Sequence, residues 1–217
     1  MSIIQSTAAA SLLETFASRR SVRRLQPGVF SPGLIDDLVE AAGRVPSAFD
    51  AQPWRIIVLR ERHAAFWDLI DELITRRLDG DRRDRYRARA EGMRSGGMTL
   101  LIFEDVALIG PRDNVTVDEA RDQASQSLGM LQLTLWLTLS AHGLVTSLQH
   151  WEWLMDDVAL AFVGLPDSGF RLVTFMPVGS AVESPVPHPS RPSRVSLEDV
   201  RRNPDDAVSK LSAECKW

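Results

Sequence analysis

One stretch limits the folds open to this 217-residue chain more than any other. Residues 114–142 read as a single long helix, closed by Gly143. Ala124, Leu128, Leu131, Leu135 and Leu139 share one face, while Met130, Leu133, Trp136 and Leu137 put apolar surface on the others. A helix apolar nearly all round has to be covered on several sides. It lies either in the middle of its own domain or partly in a subunit interface. Its most apolar part, 128–141, is broken by Gln132, Thr134, Thr138 and Ser140, too short and too polar a run to span a bilayer.

Around this helix, apolar runs of strand length alternate with helical periodicity. Residues 11–18, 61–78 and 156–162 read as helices. Ser31 is placed to cap a further helix with Pro32 at its first position, ending near Gly43. Residues 54–60 (Ile56, Ile57, Val58, Leu59) and 98–103 read as buried strands, with 106–109 a candidate continuation of the second. Residues 144–148 form a short strand, and 171–178 another that Gly179 ends. This alternation argues for an α/β or α+β fold around one central sheet. No linker or repeat divides the chain, so residues 1–217 are expected to be one domain. Four prolines between 184 and 192 make 184–217 an extended C-terminal arm.

The densest charge is Arg19-Arg20-Ser21-Val22-Arg23-Arg24. If the segment is extended, Arg19, Ser21 and Arg23 point one way and Arg20, Val22 and Arg24 the other. Two forked guanidiniums about a hydroxyl make a phosphate clamp. Two plainer readings stand beside it: neutralisation of the preceding helix's C-terminal end, or a solvated basic loop. A second basic stretch, 76–94, sets eight arginines against Asp79, Asp81, Asp84 and Glu91. It reads as a solvated helix laced with mixed charge, or as a basic lip for a phosphorylated ligand. Only Tyr86 interrupts it as a stacking platform, so nucleic acid is not an expected partner.

Composition removes several classes of chemistry. The formal charge is −4, so no global field draws the chain to polyanions. The single cysteine, Cys215, excludes an intramolecular disulfide framework and fits a reducing, cytoplasmic setting. Met1 to Arg20 lacks the basic start of a secretory leader. His63, His142, His150 and His188 lack metal-ligand spacing, so no metal is expected. There is no phosphate-binding P-loop, no dinucleotide fingerprint and no nucleophile elbow. An enzyme built this way needs a cofactor for the hard step.

The motifs carry a resemblance. Arg19-Arg20-Ser21-Val22-Arg23, followed by Pro46-Ser47-Ala48-Phe49-Asp50-Ala51-Gln52-Pro53-Trp54, resembles the nitroreductase family of FMN-dependent NAD(P)H oxidoreductases. Phe103-Glu104-Asp105, Gly143 to Trp151 and Met176-Pro177-Val178-Gly179 are similar to its fungal fatty-acid-repression-mutant-like branch and bacterial relatives. The resemblance implies an α+β fold, three layers α/β/α about a mostly antiparallel sheet, in a domain-exchanged homodimer. It implies FMN as cofactor and NAD(P)H as electron donor, in a ping-pong hydride transfer through flavin N5 to a small aromatic oxidant, a nitroaromatic or quinone. A flavin-sequestering or regulatory protein, or another flavin reaction such as dehalogenation or flavin breakdown, would use the same scaffold.

Carried over by position, Arg19, Arg20, Ser21 and Arg23 would hold the ribityl phosphate and the pyrimidine edge. Ser47, Phe49, Asp50 and Gln52 would come from the partner subunit, and Ser147, Leu148 and Gln149 would face the flavin near N5. Arg191 and Arg194 would complete the clamp. The family's loop usually has Asn where this chain has Asp50, and an ionised carboxylate cannot donate a hydrogen bond. Its C-terminal clamp is usually Lys-x-Arg, whereas Pro192 precedes Arg194 by two here. His150 is a candidate pocket residue. Trp151 and Trp153 are candidates for pocket walls or for core packing.

Overall fold

Strand β3, Met98–Asp105, is buried along its whole length and lies at the centre of the sheet. Its side chains alternate between two cores, as a strand covered on both faces requires. Met98, Leu100 and Ile102 enter one core; Leu101 and Phe103 enter the other. On one side of β3 runs β2, Trp54–Leu59, and on the other β5, Phe170–Ala181, both antiparallel. Strand β1, Leu25–Gln26, pairs with Ala181 and Ser180, and β4, Val145–Thr146, pairs with Gly179 and Val178. The structure is a computed structural model and describes residues 7–110, 114–155, 158–166 and 169–183. These lie in one unit that runs to Pro185.

Helices cover both faces. One core packs β3 and β5 against α3 (His63–Arg77), α4 (Gly80–Arg94), α6 (Glu152–Met155) and α7 (Val158–Val163). Phe66, Trp67 and Phe175 meet edge to face at its centre, with centroids 5.4–5.9 Å apart. The other packs them against α2 (Leu34–Gly43) and α5 (Val117–Ala141). The result is the expected α+β arrangement of helix, antiparallel sheet and helix. Helix α1, Thr7–Ser18, buries none of its residues in this chain.

The long helix is α5. It starts with a capping box in which Thr116 accepts from the Glu119 backbone N–H and Glu119 accepts from that of Thr116. Gly143, at φ +70°, takes the left-handed turn that ends it. Its Leu128, Leu131, Leu135 and Leu139 are buried, whereas Met130 and Leu133 stay 41% and 40% exposed.

Local expectations fail where tertiary partners intervene. Ser31 does not cap α2; the helix begins at Leu34 after a turn, and the Ser31 hydroxyl faces His142 Nδ1 at 3.3 Å. Strand β2 is an edge strand with Ile56, Ile57 and Val58 only half-buried, so its apolar run does not place it centrally. Residues 106–108 form a 3₁₀ turn instead of extending β3, because the Asp105 side chain accepts from the Ala107 N–H. The strand at 144–148 shortens to two residues. Gly179 does not end β5, which continues to Ala181 because β1 and β4 both pair with this end. Helix α6 falls where no helix was expected, and the expected 156–162 helix corresponds to α7. The arm 184–217 lies outside the described residues.

Candidate functional site

Helix α1 ends at Ser18 and the arginine cluster follows as an extended strap. Ser21 pairs with Thr146 in parallel register, and the Val22 N–H donates to the Thr146 carbonyl at 3.0 Å. Ser21 and Arg23 are exposed while Val22 is half-buried, the alternation an extended segment demands. The Arg19 guanidinium lies 4.3 Å from the Trp136 ring centroid on α5. Arg24 pairs with Glu183 at 3.5 Å, both exposed. Among the described residues, no carboxylate pairs with Arg19, Arg20 or Arg23. Arg19 follows directly on α1, its N–H donating to the Thr15 carbonyl at 3.2 Å, so neutralisation of that helix end stands beside the phosphate reading.

The strap is held along α4 by backbone contact. A Cβ at Gly92 of α4 would stand 2.6 Å from the Arg23 carbonyl oxygen, so helix and strap touch where only glycine fits. Gly96 and Gly179 make similar contacts with Val178 and Gln26, and the Gly28 N–H donates to the Gly96 carbonyl.

Beyond Thr146 the chain zips onto β5. Gln149 exchanges backbone hydrogen bonds with Phe175, and its carbonyl also accepts from the Thr174 hydroxyl. Gln149 Nε2 donates to Ser147 Oγ at 2.8 Å, both residues buried. Leu148 is half-buried and His150 exposed. Two polar atoms in this neighbourhood, Thr146 Oγ1 and Trp136 Nε1, are buried without a hydrogen-bond partner. Each orphan costs about 1–3 kcal/mol. Unpaired guanidiniums, an exposed hydroxyl between them and orphaned polar atoms beneath fit an anionic, hydrogen-bonding ligand laid along the strap. That is the donor set a flavin phosphate and pyrimidine edge call for.

The second expected half is the loop 46–53. Ser47 Oγ accepts from the Gln52 N–H at 2.9 Å, and the Gln52 side chain donates to the Gly43 carbonyl. Ser127 on α5 anchors the loop, its hydroxyl accepting from the Ala48 N–H at 3.1 Å. Phe49, Asp50 and Gln52 all have positive φ, at 57°, 52° and 42°. Such conformations cost of order 1–3 kcal/mol each for ordinary side chains, and they cluster at functional sites. Phe49 and Asp50 remain exposed. The loop lines a shallow open cleft with Leu108, Ile109, Ala124 and Ser127. The buried Gln123 Oε1, which has no hydrogen-bond partner, belongs to a residue of the same cleft. None of Arg19 to Arg23 or Ser147 to Gln149 lines it. Within one chain the strap is joined to 146–149. Arg191 and Arg194 lie outside the described residues.

Of the aromatic residues, Trp151 is core, packed edge-on against Tyr86 and Phe175. Trp153 is 38% exposed and meets Tyr86 at 5.5 Å. Sequence reasoning missed Thr146, Trp136, Ser127 and Gly92. Ser127 and Gly92 give no local signal of the distant segments they meet, and Trp136 and Thr146 read as helix and strand residues. His63, also unassigned by sequence, is buried between Thr99 and the Arg94 carbonyl. Burial lowers its pKa from the ordinary imidazole value; the hydrogen bond to Arg94 opposes this, and the Arg94 charge adds to it. Among the described residues no acidic, histidine or cysteine cluster could hold a metal, and no helix is long and apolar enough to cross a membrane.

The model of the nitroreductase family matches residues 16–180. A Thermus thermophilus NADH dehydrogenase is 46% identical over 55 residues, 22% of this chain and 27% of that protein. This chain thus spans only about a quarter of the length of the first curated relatives it matches. Among solved structures, nitroreductase CinD of Lactococcus lactis, in complex with nicotinic acid, is similar at TM-score 0.68 and 24% identity, over 79% of this chain and 90% of that one. The FMN-dependent nitroreductase NfnB of Mycobacterium smegmatis, in complex with NADPH, is similar at TM-score 0.60 and 19% identity, over 87% and 99%. At these identities the likeness is one of fold.

Proposed function

The chain belongs to the nitroreductase family, and on that premise we propose that it is an FMN-dependent NAD(P)H oxidoreductase that reduces nitroaromatics or quinones as a homodimer. One observation carries the reading: Arg19, Ser21 and Arg23, paired with no carboxylate among the described residues, lie on a strap registered to Thr146 beside the buried Ser147 and Gln149. Arg19, Arg20, Ser21 and Arg23 would hold the phosphate and the pyrimidine edge. The Ser147–Gln149 backbone, fixed by Phe175, would face the ring. When bound, FMN supplies two-electron chemistry between a nicotinamide and the acceptor. The protein's own residues bind, orient and shield.

Dimerisation completes the site in this reading. Leu12, Leu13 and Phe16 of α1 are 55%, 58% and 42% exposed, and Met130 and Leu133 of α5 add to that apolar surface. A second copy would cover it, and exposed apolar patches of this kind mark interaction sites. It would also bring Ser47, Phe49, Asp50 and Gln52 to the partner's strap. Arg191 and Arg194, which the resemblance assigns to the clamp, lie outside the described residues.

Colour tests the reading. Purified protein should be yellow, hold about one FMN per chain, and oxidise NAD(P)H when a quinone or nitroaromatic is present. Arg19→Ala and Arg23→Ala should each weaken FMN binding by roughly 1.5–3 kcal/mol, the strength of a charge-assisted contact. A colourless protein that takes up no added FMN would sink the assignment.

A further inference from the structure

The arginines of α4 divide by partner. Arg87 and Arg94 pair with Asp71 and Asp68 of α3, at 2.9 and 2.6 Å, and tie the two helices together. Arg83 sits 3.9 Å from its neighbour Asp84. Arg82, Arg85 and Arg89 are exposed, and among the described residues none has a carboxylate partner. The helix's own acids, Asp81, Asp84 and Glu91, make no ion pair with these three.

Helical spacing puts the acid-free arginines in register. Positions 82, 85 and 89 fall on one stripe, and its next member is Gly92. Gly92 is the residue whose Cα abuts the Arg23 carbonyl. The stripe thus runs from the phosphate strap along α4 for about 15 Å, at 1.5 Å per residue. Two of its guanidiniums are held in place by rings. Arg82 lies 4.7 Å from the centroid of Trp153 and 6.0 Å from that of Tyr86, and Arg89 lies 5.7 Å from Tyr86. Stacking leaves the N–H edges of a guanidinium free for phosphate and reduces the freedom lost on binding. Like charges aligned this way, unpaired with Asp81 and Glu91 of the same helix, favour a polyanion along the stripe.

We propose that Arg82, Arg85 and Arg89 form a phosphate track for the nicotinamide dinucleotide and make this protein prefer NADPH to NADH. The track rests on the reading of the strap as an FMN clamp: a donor that reaches the flavin must lay its phosphates outward from it, and α4 offers the acid-free route. The 2′-phosphate supplies the charge that NADH lacks.

The test is a calorimetric titration of FMN-loaded protein with NADP⁺, NAD⁺ and 2′,5′-ADP at low salt, paired with steady-state kcat/KM for NADPH and NADH. Wild type is expected to bind NADP⁺ and 2′,5′-ADP more tightly than NAD⁺. The triple variant Arg82→Ala, Arg85→Ala, Arg89→Ala is expected to weaken NADP⁺ and 2′,5′-ADP by about tenfold or more. NAD⁺ binding should change several-fold less and FMN content not at all. The NADPH effect should appear in KM and shrink as salt rises. Equal affinity of wild type for NADP⁺ and NAD⁺ overturns the proposal, as does an unchanged preference in the triple variant that still holds FMN. A wild type that takes up no FMN overturns the underlying flavin reading, and the track with it. A loss of all nucleotides alike in the variant, with FMN lost too, assigns the arginines to the FMN clamp and overturns the track.

Discussion

Gly92→Ala sets two effects of opposite sign against each other. In a helix interior, alanine is favoured over glycine by up to about 1 kcal/mol. At this position the added Cβ meets the Arg23 carbonyl oxygen at 2.6 Å, against 3.4 Å or more for ordinary contact. Helix or strap must back off by about 0.8 Å. The neighbouring atoms are backbone, of Arg23 and Arg24, so no side-chain rotamer can relieve the clash. Overpacking of this kind costs roughly 1–3 kcal/mol. The strap is tied on its other side by the 3.0 Å bond from Val22 to Thr146, so movement away from α4 strains that bond too. The net expectation is a loss of up to about 2 kcal/mol, or up to about 8 °C in Tm at roughly 2–4 °C per kcal/mol. FMN binding should weaken about tenfold, because the strap moves as one piece with Arg23. Thermal melts and FMN titration by fluorescence quenching measure both. Ala88→Gly, at an exposed position of the same helix, calibrates the propensity effect and should cost about 1 kcal/mol with FMN binding unchanged. If Gly92→Ala is more stable than wild type and binds FMN equally well, the glycine contact does not position the strap and the reasoning fails.

Two further perturbations test the frame. His63 is buried with its pKa lowered, chiefly by burial, among Thr99, Trp67 and Arg94, whose guanidinium pairs with Asp68. The folded state disfavours its proton, so the unfolded state binds more protons once pH falls through the ordinary value near 6.5. Its stabilising contribution is complete above that pH and declines below it, by at most about 1.4 kcal/mol per pH unit, until the lowered folded value is reached. Denaturant melts from pH 8 to 5 should show this slope in wild type and a shallower one in His63→Gln; equal slopes would place the proton elsewhere. Glu104 is buried and accepts from Arg171 at 2.8 Å, while Arg171 itself is more than half exposed. Arg171→Ala strands a buried carboxylate and should cost about 1–3 kcal/mol, more than Glu104→Gln, which leaves the arginine in water. The reverse order by chemical denaturation would mean that Glu104 is solvated.

Which segments could not be exposed, and which charges called for an anion, were legible in the local pattern of residues. The run 98–103, apolar but for Thr99, called for a strand covered on both faces, and β3 is one. The near-continuous apolar surface of 128–141 called for cover on several sides, and only part of it is met within one chain. Four arginines about Ser21 were legible because charge density and period-2 alternation are local properties. Tertiary structure decided what local pattern cannot encode. Ile56, Ile57 and Val58 look as central as the residues of β3, yet β2 is an edge, since strand order depends on pairing and not on hydrophobicity. Thr146, Ser127 and Gly92 acquire roles only because distant segments arrive beside them: the strap, the 47–52 loop and the Arg23 carbonyl. The arginines of 76–94 were one charge run in sequence. Helix pairing divided them, spending Arg87 and Arg94 on α3 and leaving Arg82, Arg85 and Arg89 aligned toward the strap.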